Sequence, residues 1–313
     1  MDALVVPSDD PHASEYPAFC YARREFVSGF TGSAGTAAVC VGGAAALSTD
    51  GRYFLQAEMQ LDGAQWQLLR AGQPGVPSVP EWLCEQLPMG AAVGIDPAVH
   101  SVEDTEALRA QLGAKGIGLV LLESNPVDTV WGAARPPPPA EPLRVHTLEH
   151  AGQSASEKLG ALRGEIAAAG ADLLVLSQLD EVAWALNLRG ADVPHCPVGL
   201  AFAIVGADFA RLYVDASKVT ADVKAHLAEA GVDVHPYAQC VGQLKVLTIV
   251  HGGWWCMARV LCIFGQLQAL SLGFNKALYF LDSDKPSSAG PHEAGQGGVA
   301  GPLDSQRGAL RGR

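Results

Sequence analysis

The sequence is short of positive charge. Lys and Arg total 21 against 33 Asp and Glu in 313 residues, a formal net charge of −12. The cations are scattered and form no basic stripe. Phosphate backbones are gripped by concentrated positive charge, so a nucleic-acid partner is not expected. The acidity reads as a solubility feature. Cysteine is present without pattern: Cys20, Cys40, Cys84, Cys196, Cys240, Cys256 and Cys262 make an odd number and contain no CxxC pair. That excludes a disulfide framework and a zinc signature, and leaves reduced, mostly buried thiols as the expectation. Gly29, Gly32 and Gly35 are not followed by Gly-Lys-Ser/Thr, so they read as turn residues rather than a phosphate loop. The start of the chain has Asp2 and no apolar run of leader length, so no signal peptide is expected and the cytoplasm is the expected compartment.

What is present is ordinary globular material. Hydrophobic residues make up 49%, enough to build cores without staples. The length suggests about two domains. In residues 1–140, short apolar runs at 3–6, 36–41, 66–69, 93–95 and 117–122 read as strands. Helical patterns at 15–27, 53–61, 78–87 and 102–114 lie between them, which argues for an α/β sheet domain. The prolines at 136–139 form a stiff spacer and mark a boundary. Residues 145–243 repeat the style. Ser154 and Glu157 form a capping box, Leu159, Leu162 and Ile166 follow at helical spacing, and Gly170 stops the helix. Strands are expected at 171–176, 200–205, 211–214 and 232–234, and helices at 179–188 and 222–230. From 244 to 313 the character changes. Residues 246–274 contain a single Lys, Arg, Asp or Glu, Arg259. A membrane span there is opposed by that central arginine and by Gly252, Gly253 and Gly265. Residues 283–313 are rich in Gly, Ser and Pro and are expected to be disordered.

Two stretches carry a family resemblance. One is Arg23-Arg24-Glu25-Phe26-Val27-Ser28-Gly29-Phe30-Thr31-Gly32-Ser33-Ala34-Gly35-Thr36, preceded by His12-Ala13-Ser14-Glu15-Tyr16. The other is Thr49-Asp50-Gly51-Arg52-Tyr53-Phe54-Leu55-Gln56-Ala57-Glu58. Further on come Leu179-Asp180-Glu181-Val182-Ala183-Trp184 and Asn187-Leu188-Arg189-Gly190-Ala191-Asp192-Val193. In this order they resemble the front of a cytosolic aminopeptidase P of the creatinase/prolidase superfamily. The resemblance implies two consecutive α/β domains of the creatinase N-terminal type, each a mixed sheet flanked by helices, followed by a divergent tail. It also implies a peptide substrate with proline in second position and, in the full-length family, two manganese ions in a later catalytic domain. No ligand set for those ions is visible after Gln243, so no metal is assigned to this chain and the chain alone is expected to be inactive. Pairing with itself or with a full-length enzyme is the implied partnership.

Arg52 is the candidate substrate-binding residue, because the family's arginine in this stretch lies close to bound peptide and a guanidinium offers a rigid fork of donors. The competing reading is a structural pair with Asp50 or Glu58. Asp180 and Glu181 read as favouring a helix N-terminus through its dipole. Trp184 reads as core, and Asn187 and Arg189 as residues joining the domain to its neighbour. His195 and Cys196 sit between Pro194 and Pro197 in an expected extended loop, where adjacent side chains diverge and form no catalytic pair.

Overall fold

The computed structural model describes residues 1–251 and the strand segments 260–262 and 278–280. The first domain runs β1 (Ala3–Pro7), α1 (Arg23–Ser28), β2 (Thr36–Cys40), β3 (Ala45–Thr49), α2 (Phe54–Gln60), β4 (Trp66–Arg70), α3 (Val79–Gln86), β5 (Ala92–Ile95), α4 (Val102–Gly113), β6 (Gly118–Leu121) and α5 (Pro126–Trp131). Its six strands lie in the order β4-β3-β2-β1-β5-β6. β2 runs antiparallel to both neighbours and the other pairings are parallel. Because strand side chains alternate between faces, Val5, Ala38 and Ala46 face α3 and α4, which supply Trp82, Leu83, Leu108 and Leu112. Their neighbours Val6, Ala37 and Leu47 face the other way, with Phe30, Ala57 and Val127.

The second domain runs β7 (Arg144–Val145), α6 (Leu148–Ala151), α7 (Ala155–Ala168), β8 (Leu173–Leu176), α8 (Leu179–Ala185), β9 (Leu188–Arg189), β10 (Ala201–Gly206), β11 (Ala210–Val214), α9 (Ala221–Glu229), β12 (Asp233–Pro236), α10 (Cys240–His251), β13 (Val260–Cys262) and β14 (Leu278–Phe280). Its sheet has the order β12-β11-β10-β8-β13-β14. Here β10 is the antiparallel strand and the rest pair in parallel. Strand for strand, this is the arrangement of the first sheet. One face packs on α7, α8 and α9 through Leu159, Leu162, Val182, Val223 and Leu227. The other packs on α10 through Leu244 and Leu247.

The capping box is in place: Glu157 N donates to Ser154 Oγ and Ser154 N to Glu157 Oε2, at 3.2 and 2.8 Å. Ser78 and Glu81 repeat it at α3. Cys20, Cys40, Cys84, Cys196 and Cys240 are free thiols. Among the described residues, no helix is long and apolar enough to cross a membrane.

Four expectations need correction. The helix predicted at 15–27 is confined to α1, after a single 3-10 turn at Phe19–Tyr21. Pro17 disfavours helix at Tyr16, and the segment is spent on contact with the second domain. β3 was not foreseen. It is alanine-rich, and its place between β2 and β4 supplies the pairing that its composition does not advertise. Trp184 is 49% exposed rather than core. Val182 and Ala185 already fill the core side of α8, leaving Trp184 to cover the Lys158 ammonium 4.8 Å from its ring centroid. The loop around His195 is a tight turn, with Cys196 N donating to Val193 O and His195 at φ 62. In addition, α10 passes straight through Gln243, so packing continues beyond the point where charge runs out. The disorder expected at 283–313, and most of 246–274, fall outside the described residues.

Candidate functional site

The two quoted stretches of the first domain meet at one corner. Gly29 caps α1 with φ 71, a left-handed conformation that glycine adopts without Cβ strain. The chain then loops to β2. The loop is pinned from behind: Arg24 Nη2 donates to Gly32 O, Thr49 Oγ1 to Ala34 O at 2.6 Å, and Ser8 Oγ to Gly35 O at 2.8 Å. At Gly35 the packing is tight: a Cβ would stand 3.0 Å from Ser48 O and 3.3 Å from Arg24 Nη1, so its neighbours would have to give by a few tenths of an ångström.

Buried Arg24 lies over the Phe30 ring at 4.7 Å. Phe30 meets Tyr53 edge-on at 6.0 Å. Arg52 lies 5.1 Å from the Tyr53 ring centroid on the exposed side. The result is a stack of cation, ring, ring and cation from the core to the surface. Such contacts are worth roughly 0.5–2 kcal/mol each, more where desolvated. Arg24 Nε and Nη1 are buried without hydrogen-bond partners, and burial holds its pKa down. At the outer end Tyr53 Oη and Ser33 Oγ are 2.6 Å apart.

The Arg52 side chain is 66% exposed. Its Nε and Nη2 donate to the two oxygens of Asp50, at 2.9 and 2.8 Å, and its backbone N–H donates to Asp50 Oδ1 at 3.0 Å. These hydrogen bonds lower the Asp50 pKa to about 2 and raise that of Arg52. The structural pairing with Asp50 is therefore present, while Glu58 instead takes Arg70. Nη1 makes no hydrogen bond with a described residue. Arg24, Phe30, Ser33 and Tyr53 all lie in the quoted stretches, yet sequence reasoning gave none of them a role. The adjacent Arg52-Tyr53 pair was the one local signal.

His12 is elsewhere, at the junction of the domains, and only 1% exposed. Nδ1 lies 2.8 Å from Ser177 O, so it carries the proton. Nε2 then accepts from Tyr237 Oη at 2.7 Å, and Tyr21 Oη stands 3.3 Å from Tyr237 Oη. The ring stacks on Phe202 at 4.3 Å. Around it Ala18, Cys20 and Tyr21 of the first domain pack on Leu179, Ala183 and Leu200 of the second. Burial lowers the His12 pKa and raises that of Tyr237. Asn187 and Arg189 do not join the domains. Asn187 accepts from Lys158 Nζ at 2.8 Å and donates to Gln153 O at 2.8 Å, and Arg189 donates to Ala183 O and Leu188 O.

Asp180 and Glu181 do occupy the first turn of α8. At Glu181, however, burial outweighs the dipole: its Oε1 has no partner and its pKa is raised to about 7 by burial and by Asp180. Lys218 and Asp192 form a buried ion pair at 2.6 Å, with Lys218 3% exposed. Among the described residues, no group of three or more His, Cys, Asp or Glu is placed to hold a metal ion. His12 has both ring nitrogens committed to hydrogen bonds.

Comparison with known proteins places both domains. Residues 1–123 and 134–264 each match a family model described as the creatinase/prolidase N-terminal domain. Aminopeptidase P2 of Arabidopsis thaliana is 52% identical over 238 residues, covering 76% of this chain and 33% of that protein. A probable Xaa-Pro aminopeptidase P of Aspergillus niger is 47% identical over 248 residues, 79% of this chain and 40% of its own length. The crystal structure of an X-prolyl aminopeptidase from Caenorhabditis elegans, described as a cytosolic enzyme with a di-nuclear active site, superposes with a TM-score of 0.83 at 32% identity. It covers 90% of this chain, which in turn covers 45% of it. The chain thus spans between a third and a half of the length of these relatives.

Proposed function

The chain belongs to the creatinase/prolidase N-terminal domain family through both of its α/β domains, and from that premise we propose that it is the non-catalytic front region of a cytoplasmic Xaa-Pro aminopeptidase. Its task in that reading is to present Arg52 to a peptide whose second residue is proline. The observation that carries it is the Arg52 corner. A guanidinium is held by Asp50 on one edge and by Tyr53 on one face, in a side chain that is 66% exposed. An exposed donor of fixed orientation suits a peptide carbonyl or terminal carboxylate.

Hydrolysis of the amide needs an activated water, which the family obtains from its manganese pair. The described residues supply no site for those ions, so the domains bind and orient without cleaving. The purified chain, given manganese and an Xaa-Pro tripeptide, is expected to release no amino acid above the buffer rate. Steady release abolished by a chelator would refute the reading. In the same chain Arg52→Ala is expected to remove the tripeptide-induced shift of its NMR spectrum near residue 52, and an unchanged titration would remove the role of Arg52.

A second reading has its own support. Leu55 and Met59, one turn apart on α2 beside the corner, are 75% and 80% exposed. Exposed apolar residues on one helix face suit a partner polypeptide, here a full-length aminopeptidase P or a second copy of the chain. Co-elution in size-exclusion chromatography, lost in Leu55→Glu/Met59→Glu, tests it. Independent elution removes it.

A further inference from the structure

The outer end of the Arg24–Phe30–Tyr53–Arg52 stack carries two hydroxyls that the Arg52 reading leaves unused. Tyr53 Oη and Ser33 Oγ are partners at 2.6 Å, and Ser33 is exposed. Two hydroxyls bring two O–H donors, and one bond between them uses one. One proton therefore remains for an outside acceptor. The pair is not needed to shape its loop, which Arg24, Thr49 and Ser8 already hold from behind and to which Gln60 Oε1 is bound through Thr31 N at 2.9 Å. Tyr53 is fixed as well, between the Phe30 edge and the Arg52 guanidinium. Donors held this firmly lose little freedom on binding, which is what makes a hydroxyl useful for recognition.

We propose that the Ser33–Tyr53 hydroxyl pair is a second contact point for the peptide that meets Arg52, donating to a neighbouring acceptor oxygen. The proposal rests on the Arg52 reading above. The two donors gather round one tyrosine ring, the Arg52 guanidinium over the ring at 5.1 Å from its centroid and the free hydroxyl proton at its Oη end. Together they call for a ligand with two nearby acceptor oxygens and no cation between them. A short peptide meets that demand with its terminal carboxylate and the carbonyl before it.

The test is an NMR titration of the full chain with Ala-Pro-Ala, following the backbone amides of residues 31–35 and the Arg52 Nε–H. Both sets are expected to move together in the wild type. Tyr53→Phe keeps the ring and Ser33→Ala keeps the loop anchors. Each is expected to weaken affinity about three- to tenfold, the range of one net hydrogen bond. Movement of the Arg52 Nε–H with silent loop amides, and unchanged affinity in both variants, would overturn the second contact while leaving Arg52 in place. Silence of both sets in a folded chain would remove the Arg52 reading and this proposal with it.

Discussion

The two domains share one sheet topology, and the corner after the third strand of each makes an instructive contrast. After β3 comes Asp50-Gly51-Arg52, and after β11 comes Asp215-Ala216-Ser217-Lys218. In both, the aspartate accepts the backbone N–H two residues on, at 3.0 Å for Arg52 and 2.9 Å for Ser217. In both, the residue three on donates to the aspartate carbonyl at 3.0 Å. The turn is the same, but its cation stands two residues after the aspartate in the first domain and three after it in the second, and the two cations have opposite fates. Arg52 points to solvent against its own turn aspartate. Lys218 is turned inward and neutralised by Asp192, which also accepts the Leu200 N–H at 2.5 Å. One copy of the fold keeps its corner charge available and the other uses it as a fastening. Where the corner cation points is therefore not decided by the topology alone.

The strongest way to break this contrast is to remove each cation. Lys218→Met strands the Asp192 carboxylate in the interior, and a loss of about 3–5 kcal/mol in urea unfolding is expected. Arg52→Met is expected to leave the unfolding midpoint where it is. Equal losses would mean that burial does not separate the two corners. Next in size is the junction between the domains. His12→Ala removes the acceptor of Tyr237 and the stacking on Phe202, at an expected cost of about 2–4 kcal/mol.

The pH dependence sharpens the contrast further, because two groups tilt it in opposite directions. His12 has a folded pKa below its usual 6.5, so its contribution is complete above about that pH and is lost as pH falls through the acid side. Glu181 is the reverse, raised from 4.5 to about 7, so stability falls as pH rises between those values. Glu181→Gln is expected to flatten the decline and add about 1–2 kcal/mol at pH 8, after allowing for solvent screening. Chemical denaturation at pH 5, 6.5 and 8 reads both slopes, and an unaltered alkaline slope in the variant would show that Glu181 is not its source. The smallest effect separates the two matching caps. Ser78→Ala and Ser154→Ala are each expected to cost about 0.5–2 kcal/mol. A clear excess at Ser154 would mark α7 as more tightly coupled to its core than α3.

Much of this was legible in the residues. The Ser154–Glu157 box, the β8, β10 and β11 strands and the α9 helix ended by Gly231 each announce themselves through local chemistry. β3 did not, because alanine carries no strand signal and only its two neighbours make it a strand. α10 was obscured for the opposite reason. It lies against a sheet face through Cys240, Leu244 and Leu247, so its apolar residues looked like a change of region. Arg52 was visible as a motif residue. The stack behind it was not, since Arg24 and Tyr53 stand far apart in the sequence and are brought together by the hairpin that β3 completes.

The linker holds a practical consequence. Arg135 is tied to the first domain through Cys20 O at 2.8 Å and through Asp128, and Leu143 N is tied to the second through Lys218 O at 2.9 Å. Between these moorings the prolines are extended and carry no helix or strand. A single backbone scission among residues 137–142 would sever the covalent thread without touching the seam that His12, Tyr21 and Tyr237 close. Cleavage there is expected to leave the two halves associated through that buried seam, which co-elution of the nicked chain in size-exclusion chromatography checks.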